Sequence, residues 1–254
     1  MLSYQHGYHA GCLADVHKHA SLAVVLEKMA EKDKPLTFID THAGRGLYDL
    51  KSKESLKTKE AEEGISALLK KKKIPADHPF IKVLREVRQD NENLYAGSSM
   101  IALKLLRKTD ELHLIELHPQ EFEALRYLMY PNDNVHIHRR DAMEGALALS
   151  PPKIKRGVVF IDPSFEIKTD YETIVGNIKK LHQKWSEAVI MLWYPILKEG
   201  YHQNLVSQLM DMPKFYHNKV VFKGKKEGMI GSGLIVINAP FGINERLDEI
   251  KAWF

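Results

Sequence analysis

The run Gly157-Val158-Val159-Phe160-Ile161 is apolar throughout, and it stops at a carboxylate, Asp162. With no polar alternation to send one face to solvent, such a run reads as a strand buried on both sides, as in a parallel sheet covered by helices. The same signature recurs on both sides of it. Upstream are Leu36-Thr37-Phe38-Ile39-Asp40, then Leu112-His113-Leu114-Ile115-Glu116, then Asn134-Val135-His136-Ile137-His138 with a polar tail reaching Asp141. Downstream is Ala188-Val189-Ile190-Met191-Leu192-Trp193. Residues 119–129 and 170–184 have the character of helices between these runs, and alternation of this kind predicts an open α/β sheet. Residues 216–222 and 233–238 form two further strands joined by a Gly/Lys-rich loop. That gap is too short for a helical crossover, so the pair is expected to be antiparallel.

The 254 residues suit one large domain, read as 1–254. Its longest connection, between the first two runs, carries Lys51, Lys53, Lys57, Lys59 and Lys70-Lys71-Lys72-Lys73, and is broken by Pro75 and Pro79. Residues 52–92 are expected to form an inserted helical subdomain, and 97–108 the helix that returns to the sheet. Apolar residues at 44% support a full core. The single cysteine, Cys12, excludes an internal disulfide framework and suits a reducing compartment. No signal peptide and no membrane span are expected, so the reading is cytoplasmic. A net charge of +4 is too small to identify a nucleic-acid partner.

In open α/β sheets ligands bind at the carboxyl ends of the strands. There the first run passes into Asp40-Thr41-His42-Ala43-Gly44-Arg45-Gly46, whose glycines permit a positive φ and a close approach of backbone to ligand. Neither a full G-x-G-x-x-G fingerprint nor a Walker lysine is present. Glu116 can accept both ribose hydroxyls of a nucleoside cofactor, and Asp141 can accept from an adenine amine. Each also reads as an ordinary acid capping the next helix. Asp162-Pro163-Ser164-Phe165 is the sharpest motif. An adenine amine is a poor nucleophile, because its lone pair is delocalised into the ring. Acceptors at Asp162 and at the Pro163 carbonyl would hold its N–H bonds and turn the lone pair toward an electrophile. Phe165 would stack on an extruded base, or would simply belong to the core.

A parallel sheet closed by an antiparallel hairpin resembles the class I, Rossmann-like S-adenosylmethionine-dependent methyltransferase fold, an analogy of fold alone. Shorter matches run in order along the chain: Met1-Leu2-Ser3-Tyr4, His9-Ala10-Gly11, Ala14-Asp15-Val16, Lys18-His19, Asp40-Thr41-His42-Ala43-Gly44, Tyr95-Ala96-Gly97-Ser98, Glu116-Leu117-His118-Pro119, Leu192-Trp193-Tyr194-Pro195, Gly228-Met229 and Ser232-Gly233. On these residues the chain resembles the RlmJ family of bacterial 23S rRNA adenine-N6 methyltransferases. The resemblance implies that His19, His42, Ser98, Glu116, Asp141 and Ala142 line a pocket for S-adenosyl-L-methionine. It implies Asp162 as the catalytic acceptor, Tyr4 near the substrate with Pro163 and Phe165, and 23S rRNA as the partner. The family pattern is Asp-Pro-Pro-Tyr, so Ser164 and Phe165 are departures that bear on rate and substrate identity.

Other readings come from different classes. One is a non-catalytic nucleic-acid-binding protein connected with the uptake or use of external DNA. Another is a DNA adenine-N6 methyltransferase. The histidines around Cys12 lack zinc-ligand spacing, and no metal is expected. Neither the G-x-S-x-G nucleophile nor the deaminase signature occurs. Asn238-Ala239-Pro240-Phe241 echoes an amine-methylation motif but follows the last strand, so a structural turn is expected there. The lysines at 70–73, 223, 225 and 226 either track phosphates or form a solvated face. A monomer is expected.

Overall fold

A computed structural model describes residues 6–165 and 170–254. Its centre is a seven-stranded sheet of β1 (Thr37–Asp40), β4 (Glu111–Ile115), β5 (Val135–His138), β6 (Gly157–Ile161), β7 (Val189–Leu197), β8 (Tyr216–Val221) and β9 (Met229–Ile237), in the order β5-β4-β1-β6-β7-β9-β8. The first five of these run parallel to one another, whereas β9 runs antiparallel to both β7 and β8. This is the mostly parallel sheet with a C-terminal antiparallel hairpin that marks class I methyltransferases. The chain steps outward from β1 through β4 to β5, then returns to β6 on the other flank. The order therefore reverses beside β1, and a crevice opens at the carboxyl ends of β1 and β6.

Burial follows position in the sheet. Every residue of β1 and β6 is buried, whereas β5, an edge strand, is only partly covered. The run expected at 188–193 extends to Leu197, because β9 continues to pair with β7 beyond Leu192, the last β7 residue that β6 reaches. Pro195 lies in that one-sided stretch, where a missing N–H is tolerated.

Helix α6 (Pro119–Met129) covers one flank, and α7 (Ala142–Leu149), α8 (Asp170–Lys184) and α9 (His202–Leu209) follow the successive strands. Helix α1 (Leu13–Ala30) is buried at every position from Ala14 to Leu26, so it has no solvent face along most of its length. It packs on β7 and β9, and on α4 (Pro79–Val87) and α5 (Ser98–Leu105). Its first turn is capped by the Cys12 sulfur, which accepts from the Asp15 N–H.

Between β1 and β4 the chain forms a small second sheet that the apolar pattern did not announce. Strand β2 (Leu47–Asp49) pairs antiparallel with β3 (Leu94–Ala96). The chain leaves through β2, runs through α2 (Lys53–Thr58), a π-helical turn (Glu62–Ser66), α3 (Ala67–Lys70) and α4, and returns through β3. Pro79 is the first residue of α4, where its missing N–H costs nothing. At the other end of the chain, Asn238 has a φ of 56° and donates to the carbonyls of Ser186 and Ala188, and Phe241 is exposed. That stretch is a structural turn. Helix α10 (Asn244–Glu249) and a final 3-10 turn close the chain over α1.

The contact between β1 and β6 leaves no room at Gly157. A methyl there would lie 2.4 Å from the Thr37 carbonyl oxygen and 2.6 Å from the Trp185 ring. Gly157→Ala is expected to lower unfolding free energy by about 1–3 kcal/mol through overpacking, measured by chemical denaturation.

Candidate active site

The strand-end acids converge. A cavity of about 650 Å³ opens at the carboxyl ends of β1, β4, β5 and β6 and is lined by His19, His42, Ser98, Glu116, Asp141, Ala142, Asp162, Pro163 and Phe165. Every site residue expected from the sequence borders it except Tyr4, which lies outside the described residues. The volume is that of a small-molecule site.

The glycine turn after β1 forms its floor. Gly44 and Gly46 have φ of 56° and 82°. A Cβ on Gly44 would strike the Tyr48 hydroxyl at 2.2 Å, so close packing as well as backbone conformation requires glycine. The turn is tied on two sides. Gly97 donates its N–H to the Gly46 carbonyl, which fixes Ser98 at the start of α5. Gly44 donates its N–H to Glu116 Oε2 at 2.8 Å, and His118 donates to Oε1 at 2.7 Å. Glu116 therefore bridges the ends of β1 and β4, and burial raises its carboxyl despite those two bonds. Asp141 does cap α7: its Oδ1 accepts from the N–H groups of Met143 and Glu144. Oδ2 has no partner among the described residues, so the cap leaves one oxygen for a ligand.

Two histidines are held neutral. Burial pushes His19 down to about 3, and its Nδ1 meets the Tyr95 hydroxyl at 2.8 Å. Burial likewise pushes His42 down to about 4, and its Nδ1 meets Thr41 Oγ1 at 2.7 Å. Neither brings positive charge to the cavity at neutral pH. Each can serve there as a neutral hydrogen-bonding group.

Asp162 has a partner that the sequence reading missed. Lys18 Nζ lies 2.5 Å from Asp162 Oδ2 and 3.0 Å from Asp15 Oδ1, with its side chain almost wholly buried. Asp15 also receives the Gly11 N–H and stands 2.9 Å from His6 Nε2. Burial alone would raise the Asp15 carboxyl, but the charges of His6 and Lys18 hold it well below the usual carboxylate range. The signal was present in the sequence as Asp15, Lys18 and His19, ionisable residues at helical spacing in the first half of a helix that is largely apolar beyond them. Lys18 Nζ also lies 5.0 Å from the centre of the Trp193 ring, a cation–π contact on the cavity wall.

The turn after β6 differs from a free aromatic platform. Ser164 is exposed, while Phe165 has a φ of 51° and is only 7% exposed. Its ring lies 4.4 Å from Tyr171 and 6.3 Å from Trp193, centre to centre. Phe165 thus borders the cavity with most of its surface already packed.

Residues 33–254 match the family model described as RsmJ, ribosomal RNA large subunit methyltransferase D, RlmJ. The chain is 34% identical to ribosomal RNA large subunit methyltransferase J of Escherichia coli, over 100% of this chain and 92% of that protein. It is 35% identical to the protein of the same name from Haemophilus influenzae, over 98% and 92%. The crystal structure of protein LPL1258 from Legionella pneumophila superposes with a TM-score of 0.87 at 34% identity, covering 95% of this chain and 91% of that one.

Asp40, at the end of β1, provides a pH test of this arrangement. It is fully buried, its Oδ1 accepts from the His42 N–H, and its Oδ2 has no hydrogen-bond partner among the described residues. Burial, reinforced by the charges of Asp162 and Glu116 and opposed by the Ser98 hydroxyl, pushes its carboxyl up to about 7. The folded chain therefore retains a proton that the unfolded chain releases, and Asp40 contributes less stability as pH rises through that window. Asp40→Asn, which cannot ionise, should gain about 2 kcal/mol relative to the native chain between about pH 5 and pH 8, measured by denaturation at each pH.

Proposed function

The chain belongs to the RsmJ/RlmJ family of ribosomal RNA large-subunit methyltransferases, and from that premise we propose that it methylates the N6 amine of an adenine in 23S rRNA, using S-adenosylmethionine. The observation that carries the reading is the opening of the Asp162-Pro163 turn and the strand-end acids into one cavity beside the sheet's reversal point.

The residues present suit the cofactor. Gly44, held at positive φ, brings bare backbone to the cavity wall, Glu116 retains lone pairs suited to ribose hydroxyls, and the Asp141 oxygen without a partner among the described residues suits an adenine amine. Ser98, Ala142, His19 and His42 complete the walls. S-adenosylmethionine supplies an electrophilic methyl group when bound. The chain's own residues then have to hold the acceptor amine. Lys18 occupies Oδ2 of Asp162, while Oδ1 has no partner among the described residues and is the oxygen available to an amine N–H. The Pro163 carbonyl can take the second N–H, so that the nitrogen lone pair points away from both acceptors and toward the methyl. Asp162 then receives the proton released on transfer. Residues 52–92 are proposed as an inserted helical subdomain, and Tyr4 as a substrate contact. The protein is proposed to act as a cytoplasmic monomer; no helix among the described residues is long and apolar enough to cross a membrane.

Calorimetric titration with S-adenosylmethionine, followed by labelled-methyl transfer to rRNA lacking the modification, tests the reading. Binding with transfer to adenine N6 supports it. Binding with transfer only to DNA moves the substrate, and no binding overturns it. Asp162→Ala should reduce transfer at least ~100-fold while cofactor affinity stays within a few-fold, since Asp162 contacts the acceptor. A collapse of cofactor affinity instead would remove Asp162 from that role.

A further inference from the structure

Behind the cavity wall, Trp193, Ser232, Asn218 and Tyr216 share one face of the sheet. Trp193 pairs with Leu234 across β7 and β9, Asn218 pairs with Leu234 across β8 and β9, and Tyr216 pairs with Val236. Ser232 lies two residues from Leu234 on β9, so the side-chain alternation of strands puts all four on the same side. Helices α1 and α10 cover that face. Polar groups so deeply covered must bond to one another.

They do so with a single possible polarity. Asn218 uses both amide hydrogens, on the Tyr216 hydroxyl and the Leu247 carbonyl, each at 2.8 Å. Its Oδ1 must therefore accept from His17 Nε2, at 3.4 Å. That fixes the neutral tautomer of His17, and its Nδ1 accepts from the Ser232 hydroxyl at 2.8 Å. Ser232 Oγ in turn accepts from the indole Nε1 of Trp193 at 2.8 Å, the only role an indole allows. At the other end the Tyr216 hydroxyl donates to Asp248 Oδ1 at 2.9 Å, where the chain reaches the surface beside Lys251. Burial pushes His17 down to about 4, so protonation does not reverse these directions near neutrality.

We propose that this buried chain, Trp193–Ser232–His17–Asn218–Tyr216–Asp248, is a positioning device that holds the Trp193 ring as the wall of the acceptor-base pocket. The proposal rests on the adenine-acceptor reading above. Trp193 borders the cavity together with Lys18, Asp162, Pro163 and Phe165. With Phe165 largely packed against Tyr171, Trp193 is the ring whose orientation is set from outside the pocket. One face of it also meets the Lys18 ammonium that holds Asp162. A ring free to turn would loosen both the base platform and Lys18. Ser232 and His17 act through Trp193, and are positioning residues.

The test follows the three indole N–H resonances of Trp185, Trp193 and Trp253 by NMR, with Trp193→Phe identifying the relevant peak. Protein saturated with S-adenosylhomocysteine, which fills the cofactor site, is titrated with adenosine. The Trp193 peak should shift while the other two stay in place. Ser232→Ala should move that peak, speed its solvent exchange and raise the adenosine dissociation constant about tenfold, the effect of one lost buried hydrogen bond. Cofactor affinity should stay within about twofold, because that factor is under 0.5 kcal/mol. His17→Gln, whose amide can accept from Ser232 and donate to Asn218, should weaken adenosine binding less than Ser232→Ala does, and guards against a Ser232 variant that folds poorly. A Trp193 peak that ignores adenosine overturns the proposal. So does a Ser232→Ala protein whose Trp193 peak and exchange are unchanged, or one whose Trp193 is released with adenosine affinity intact. Failure of the adenine-methylation reading is recognised separately, by absence of methyl transfer.

Discussion

An ammonium buried between two carboxylates sets the geometry of this molecule's centre. Lys18 reaches Asp15 on its own helix and Asp162 at the end of β6, 144 residues away in sequence. Removing such charges from water is expensive, and the cost is met only when every charge keeps a partner. That condition constrains the surroundings. Helix α1 must pass where Lys18 can reach the end of β6, and, packed between the sheet and α4 and α5, it is buried almost all round rather than amphipathic. His6 and the Gly11 N–H must then close on the far side of Asp15. Among the described residues Asp162 is left with one oxygen committed and one without a partner, fixed in direction by a rigid helix and not by a loop.

The sheet was legible because its signal is local. Residues 119–129 and 170–184 were read as helices, and they coincide with α6 and α8. β1 and β6 are continuous apolar runs, and their burial on both faces is what makes them continuous. The small sheet of β2 and β3 gave no comparable signal. Each strand has three residues, and their pairing joins positions 47 and 96 across the whole helical excursion. Periodicity over a window cannot report such a contact.

The site was partly legible for a related reason. Strand ends are positions of topology, so Glu116, Asp141 and Asp162 could be assigned to one edge without coordinates. At Asp141 the capping reading and the pocket reading were opposed in the sequence. The two are compatible, because Oδ1 serves α7 while Oδ2 has no partner among the described residues. Lys18 could not be assigned in this way. A lysine is ordinarily solvated, and only the fold brings Asp162 to it. For Phe165 the sequence left a base-stacking and a core reading open, because only the fold brings Tyr171 and Trp193 beside a ring that still borders the cavity. His17 and Ser232 are 215 residues apart, and their hydrogen bond has no local signature.

The charge of the cavity bears on how a nucleic acid could approach. Asp15, Glu60, Glu116, Glu121, Asp141, Asp162 and Asp170 line it, against Lys18 and Arg140 as the permanent cations. His19 and His42 add no charge, since burial keeps them neutral. Such a cavity favours a cationic ligand and repels phosphate. On the proposed function, therefore, the sugar–phosphate backbone stays outside and only the uncharged base enters. The base must leave its stack to do so. Phosphate contacts then fall to the lysines beyond the cavity, at Lys51, Lys53, Lys57, Lys59, Lys70–Lys73, Lys223 and Lys226, for which no ion pair is found among the described residues. On that proposal the acidic interior would select cofactor and base, and the exposed lysines would supply sequence-independent attraction.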